Sequence, residues 1–324
     1  MRRSFICVLT VALAAAHTGA AAEERRITNA SSVRLRSLPE TTASIAAEVP
    51  LGTELLVLEL TDADDPWYRV RIEDGRTGWV LGRLTISLDL GRRDQAVESI
   101  VTARLSRRSP AKGDGESFST RLQLFDLIER TAASLSDAEA QARFALYRLR
   151  SLSDVALGVP FRRGDSDPYR SWIRAHQEEV VYNEPGGSWM VDASYVIQTH
   201  EKHRETTAAD DIAWFLVTNG VRGECEGDVP CYMDRENQLN GQYLRWHLDG
   251  RHVAESHADM ARRLNDMMDN LRAFPLILQE FDPGARCGEL HASLDPLMAV
   301  VTASTSARKA EALAAIDRFA QLCR

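Results

Sequence analysis

The chain has 324 residues, with 39 Lys and Arg against 47 Asp and Glu and a formal net charge of −8. An acidic balance of this kind disfavours nucleic acid and anionic lipid as partners, because phosphate binding needs clustered cations. The length is roughly twice that of a typical domain, so two domains, or one domain and a helical array, are expected. The first element is a leader. "MRRSFICVLTVALAAAHTGAAAEE" sets two arginines before an apolar run from Phe5 to Ala16 and the small residues Ala20-Ala21-Ala22. This is the pattern of a secretory signal peptide over residues 1–22, cleaved after Ala22. Its apolar run is too short for a helix to cross a bilayer core of roughly 30 Å, and no later stretch approaches the ~20 apolar residues required. The mature chain is therefore expected to be exported, periplasmic or secreted, with no membrane span. Arg2-Arg3-Ser4-Phe5-Ile6 is also similar to a twin-arginine signal, so both export routes stay open. Cys7 stands at the start of the apolar run, the wrong end for a lipid anchor.

Residues 29–88 read as short strands. Leu55 to Leu60 is rich in β-compatible side chains, and Trp67 to Ile72 alternates, with Trp67, Arg69 and Arg71 on one side and Tyr68, Val70 and Ile72 on the other. Asp74-Gly75 is the pair preferred by a tight hairpin turn, and Gly52 marks a turn before the second strand. Short strands joined by short turns predict a small barrel.

The motifs in this segment resemble those of a bacterial SH3-like (SH3b) domain of the exported type. Val33-Arg34-Leu35-Arg36-Ser37-Leu38-Pro39 follows the order of that family's first strand, with Arg34 in place of the usual Asn and Leu38 in place of the usual Gly. Val49-Pro50-Leu51-Gly52-Thr53 matches its first turn, and Trp67, Tyr68, Val70, Asp74, Gly75, Gly78, Trp79 and Val80 match its closing hairpin. The resemblance implies a module that binds cell-wall peptides or segments of envelope proteins. Aromatic rings give large contact area at low entropic cost, which makes Trp67, Tyr68 and Trp79 the candidate ligand-binding residues. One tryptophan of so small a barrel is expected in the core, and Trp79 is the one favoured for that part. Asp62, Asp64 and Asp65 read as a solvated loop.

From Asp89 the periodicity shifts to three or four, and residues 92–324 are expected to form an all-α domain. Leu122, Phe125 and Ile128 share one helical face, widened by Leu124 and Leu127; Ala142, Ala145 and Leu149 do the same beside Phe144 and Leu146. Further helices are predicted in "DPYRSWIRAHQEEV", "SWMVDASYVIQTHEKH", "TTAADDIAWFLVTNG", "NQLNGQYLRWHL", "HVAESHADMARRLNDMMDNLRAF" and "SARKAEALAAIDRFAQLC". Asn219-Gly220, Asp249-Gly250 and Asp282-Pro283-Gly284 are expected to stop helices. The stretch around Tyr243-Leu244, His247, Asp249-Gly250 and Val253-Ala254-Glu255 resembles the helical hairpin of exported tetratricopeptide-like proteins. A clean repeat of about 34 residues is not found, so an irregular helical array is expected.

Four cysteines follow the leader, and an even number in an exported chain favours disulfides over zinc. "GECEGDVPC" sets Cys225 and Cys231 around Gly227 and Pro230, a compact turn whose closure contributes roughly 2 to 3 kcal/mol. Calcium at Glu224, Glu226 and Asp228 is disfavoured, since the stretch lacks the spacing of a calcium loop. A second disulfide is expected between Cys287 and Cys323, tying the loop after "FDPGAR" to the final helix. Cys323 extends the inner stripe predicted from Leu313, Ile316 and Ala320.

Catalytic motifs are scarce. His247, His252 and His257 are spaced by five, which places helical neighbours about 140° apart and off a common face. His200 and His203 share a face, but "HEKH" is not the zinc-peptidase pattern and reads as a solvated helix end. Ser188 has no nucleophile motif around it, Arg163-Gly164-Asp165 is a chance triplet, and nothing in the spacing of Glu178, Glu179 and Glu184 requires an acid pair. No metal and no cofactor is expected. The fold class expected is α+β and multidomain: a small SH3-like barrel followed by a mostly α-helical domain. The function expected is that of an exported binding or scaffold protein without enzymatic activity. The alternative is a cell-envelope hydrolase, with the barrel as targeting unit and catalysis in the helical domain.

Overall fold

The computed structural model describes residues 23–107, 117–273 and 283–323; the leader and its cleavage site lie outside them. The chain divides into two compact units, a strand-rich one ending at Asp89 and a helical one running from Leu90. The α+β arrangement expected from the sequence is the one observed.

The strand-rich unit is a seven-stranded antiparallel sheet. Its strands are β1 (Arg25–Thr28), β2 (Val33–Arg36), β3 (Ile45–Val49), β4 (Glu54–Leu60), β5 (Trp67–Arg71), β6 (Thr77–Leu81) and β7 (Thr85–Ser87), in the order β3-β2-β6-β5-β4-β1-β7. The hairpin β5–β6 turns at Gly75, whose φ of +89° is open to glycine at no steric cost. Asp74 fixes the same turn by accepting from the Arg76 backbone N–H at 3.0 Å. β1 lies before the expected start at residue 29. It is inserted between β4 and β7, with Arg26 opposite both Leu55 and Ser87. The core is aliphatic: Val33, Leu35, Ala47, Val49, Leu55, Val70, Ile72 and Val80.

The helical unit contains α1 (Arg93–Leu105), α2 (Phe118–Ala132), α3 (Ala138–Leu157), α4 (Tyr169–Ala175), α5 (Ala193–His203), α6 (Ala209–Asn219), α7 (Val229–Glu236), α8 (Gln242–Trp246), α9 (Val253–Ala273), α10 (Pro283–Ala303) and α11 (Lys309–Ala320). Side-chain caps start several of these helices. Ser117 accepts from the Thr120 N–H at 3.2 Å, Asp137 from Ala140 at 2.8 Å and Asp192 from Ser194 at 2.8 Å. Gly220, at φ +81°, ends α6 where Asn219-Gly220 predicts a stop. The faces expected on α2 and α3 are largely buried: Leu124, Phe125, Leu127 and Ile128 on one, Ala142, Phe144, Leu146 and Leu149 on the other, with Leu122 and Ala145 half-buried at their edges.

Two expectations are corrected. The unit is not all-α: β8 (Val180–Asn183) and β9 (Ser188–Val191) form an antiparallel hairpin inside it, where helix was predicted through "QEEV" and "SWMV". Val, Tyr and Trp suit a pleated surface, and Pro185-Gly186-Gly187 supplies the turn. Pro283 and Gly284 lie in the first turn of α10, where the missing proline N–H is tolerated, and the segment on which the stop expected at Asp282-Pro283-Gly284 bears lies outside the described residues. On α11 the predicted stripe packs against the core, Ile316 fully buried and Leu313, Ala320 and Cys323 at its edge, and Ala312, Ala315 and Phe319 complete the buried face. His200 and His203 do not form a solvated end; both are buried.

Candidate functional site

The three aromatic residues singled out in the barrel do not share one surface. In the β5–β6 ladder Trp67 stands opposite Leu81, Tyr68 opposite Val80 and Arg69 opposite Trp79. Cross-strand partners share a face and successive residues alternate. Trp67 and Trp79 therefore lie on the face that carries Arg69, while Tyr68 lies with Val70 and Val80 on the core side. Trp79 is half-buried and stands outside the aliphatic core, contrary to its expected structural part. It is also the residue paired with Arg36 of β2, so one row across the outer face reads Arg36, Trp79, Arg69 and Glu59. Arg36 donates to the Ala43 carbonyl at 2.6 Å, and Arg69 forms an ion pair with Glu59. Tyr68 packs against the core, and the Arg26 guanidinium lies over its ring at 4.1 Å from the centroid. Arg26 is held there by a 2.7 Å hydrogen bond to Thr85 Oγ1.

Both cysteine pairs are disulfides, Cys225–Cys231 and Cys287–Cys323, with Cα atoms 5.5 Å and 5.7 Å apart. Cys287 sits in the first turns of α10 and not in a loop, and Cys323 packs at the edge of the helical core, as its expected inward position requires. Asp228 of the first loop pairs with Arg286 at 2.8 Å. Among the described residues no group of three or more His, Cys, Asp or Glu converges as a metal site.

The helical unit brings together titratable groups that the sequence did not. Arg148 bridges Glu129 at 2.8 Å and Glu179 at 2.9 Å, and also donates to the Tyr195 hydroxyl. His176 Nδ1 reaches Glu179 Oε2 at 2.8 Å. Burial pushes the Glu179 carboxyl up, but the hydrogen bonds from His176 and Arg148 outweigh it and hold the group below the usual carboxylate range. Of the acids weighed for hydrolysis, Glu179 is thus a tied carboxylate, while Glu178 and Glu184 are exposed. Glu236 is buried at the end of α7, where the chain passes through a π-helical turn over Asn237–Gly241. Its Oε2 accepts from Asn240 Nδ2 at 2.9 Å, and burial pushes its carboxyl up to about 7.

The histidines are similarly dispersed. His200 stacks on Trp246 with centroids 3.9 Å apart, and its Nε2 meets His247 Nε2 at 3.0 Å. Burial and the neighbouring His247 bring the His200 imidazole down to about 4. His252 goes elsewhere, to Asp211 at 2.8 Å, and His257 to Ser304 at 2.8 Å. The separate partners agree with the spacing argument against a common face. No sequence signal marked these pairs, because His200 and His247 are 47 positions apart and Arg148 and Glu179 are 31 apart.

The strand order, the Asp-Gly hairpin and the aromatic rows define the first unit as a small SH3-like barrel. Residues 31–85 match the bacterial SH3 domain family, nearly the whole of that unit. Comparison of the chain with curated proteins finds no match. Domains of this family commonly bind cell-wall material, which makes the barrel the candidate cell-wall-binding module. Among the described residues no helix is long and apolar enough to cross a membrane.

Proposed function

We propose that the protein is an exported, non-enzymatic binding protein whose SH3-like barrel engages a cell-wall peptide or an envelope protein. The observation that carries this reading is the outer face of the β5–β6 hairpin, where Trp67 and Trp79 stand outside the core beside Arg36 and Arg69. Aromatic area flanked by guanidinium groups suits a peptide bearing free carboxylates. Tyr68, half-buried on the core side beneath the Arg26 guanidinium, is the lesser contributor. Both disulfides and the signal pattern of residues 1–22 fit an oxidising compartment outside the cytoplasm. The helical unit, with its tetratricopeptide-like hairpin of α8 and α9, holds the partner or presents it. A hydrolase reading gains little from the helical unit, because Glu179 is tied to Arg148 and His176.

The test is retention of the mature protein on purified peptidoglycan and on envelope extract, with Trp67→Ala, Tyr68→Ala and Trp79→Ala beside it. Retention lost in Trp67→Ala and Trp79→Ala supports the reading. Retention unchanged in all three folded variants overturns it. So does release of soluble wall fragments that stops on Glu178→Gln, Glu179→Gln or Glu184→Gln, which transfers the function to a hydrolase.

A further inference from the structure

The helical unit contains a cavity of about 720 Å³ that plays no part in the barrel reading. It opens between the C-terminal ends of α1 and α6, the second half of α3 and the β8–β9 hairpin. Such a volume is within the range of small-ligand sites, roughly 300–1,000 Å³. Its walls are chiefly apolar, built by Leu105, Leu157, Met190, Phe215 and Val221. Leu157 is 45 % exposed, although it stands on a helix whose other leucines are buried or half-buried.

The charges around this apolar wall are not balanced. Asp154 is buried, and its carboxylate lies 3.7 Å from Arg121 Nη1, so the acid of the lining is answered from behind. The Tyr147 hydroxyl donates to Glu98 at 2.9 Å, and Glu98 also takes Arg143 at 2.8 Å. Arg150 stands one helical turn from Tyr147 and Asp154 on the same face of α3, exposed, with no carboxylate partner among the described residues. An arginine left unpaired in an acidic protein, at the mouth of an apolar cavity, carries a charge that a ligand can answer. Asn183, from β8, also lines the cavity; its Oδ1 accepts the Gly223 N–H at 3.3 Å, and its Nδ2 has no partner among the described residues. That amide gives the lining a second donor in addition to the cation.

From this arrangement we infer that the cavity is a binding site for an amphipathic anion, a single apolar chain or ring system ending in one carboxylate. The apolar body lies against Leu157, Met190 and Phe215, and the carboxylate meets Arg150 with Asn183 as the second donor. The proposal is independent of the barrel's function, since none of these residues belongs to the strand-rich unit.

The probe is dodecanoate, titrated calorimetrically into the full mature chain below its micellar concentration, with dodecyltrimethylammonium as the cationic control. Saturable binding of one dodecanoate is expected, weakened about tenfold by Arg150→Gln, which removes one charge-assisted contact. Thr218→Trp, at an exposed rim position, fills the cavity and abolishes binding. Leu157→Asp, also exposed, gives the same loss by placing an anion in the mouth, and serves if Thr218→Trp does not fold. The inference is overturned by no saturable binding, by equal binding of the cationic control, or by binding that survives the folded cavity-blocking variant. Loss of wall retention in Trp79→Ala with dodecanoate binding intact separates this site from the barrel's.

Discussion

The barrel closes around Val33, Leu35, Val49, Leu55, Val70 and Val80, and the polar residues it buries, among those described, are Thr28 and Thr85. The helical unit closes around Met233, Leu264, Leu297 and Phe319, but it also buries Glu236, Asn240, His200, His203 and His257 and is stapled twice by cystine. Apolar burial is indifferent to pH and redox state over the physiological range, whereas a buried carboxyl or imidazole is not. A barrel of the first kind keeps one shape in changing surroundings and can display side chains outward. A helical body of the second kind responds to the pH and redox state of the medium around it. The difference teaches where to look for function in each: on the outer face of the barrel, and inside the helical unit.

The largest expected effect separates the two units by redox state. Replacing Cys287 and Cys323 by serine opens a loop of sequence separation 36. By loop entropy that costs the helical unit about 3 to 4 kcal/mol. Hydrogen exchange followed by mass spectrometry reads both units at once: helical peptides should lose protection while peptides of residues 25–87 keep theirs. Equal loss in the barrel peptides contradicts the comparison.

Acid should have a similar but smaller selectivity. The folded-state value of His200 is lowered from 6.5 to about 4. The unfolded chain therefore binds the proton first. The stability tied to neutral His200 is complete above pH 6.5 and is lost as pH falls toward 4, on the order of 2 kcal/mol. His203, His247 and His257 are lowered as well and act in the same direction. Denaturant titrations from pH 7 to pH 4 should show this slope, and His200→Asn should flatten it; a slope unchanged in that variant removes His200 from the account.

Glu236 has the opposite sign and a smaller effect. Its carboxyl is raised from 4.5 to about 7, so the unfolded chain ionises first and stability is lost as pH rises through that window. Glu236→Gln, which keeps an acceptor for Asn240, should raise stability by about 1 kcal/mol at pH 8 and leave it unchanged at pH 5. A loss at both pH values contradicts burial as the cause of the shift.

The two units were also unequally legible in the sequence. Barrel strands announce themselves because alternation and Asp74-Gly75 are local signals, and each reports its own turn or face. β1 escaped notice since Arg25-Arg26-Ile27-Thr28 has no alternation of its own and is a strand only through β4 and β7. The β8–β9 hairpin was read as helix because each half adjoins a true helical pattern, and its Val180-Val181-Tyr182 run is too short to outweigh that neighbour. Cys225 and Cys231 could be paired by proximity in the chain, whereas the contacts of Arg148, His200 and Glu236 arise only when separate helices pack. The outer position of Trp79 is hidden for a related reason: a small barrel is expected to bury a tryptophan, and here aliphatic residues fill the core.

Trp67 and Trp79, outside the core on the β5–β6 hairpin, carry the proposed binding role. A co-sedimentation isotherm of the mature protein on insoluble peptidoglycan, compared with Trp79→Ala and with the double variant Trp67→Ala/Trp79→Ala, measures their role directly. Removing a half-buried aromatic from a binding face costs about 1 to 2 kcal/mol per ring, which is about a tenfold weakening for Trp79→Ala and a further loss for the double variant. Hydrogen-exchange protection of Val70 and Val80 should stay as in the wild type, since neither ring belongs to the core. Superimposable isotherms for all three proteins, with the barrel folded in each, would show that this face does not hold the wall.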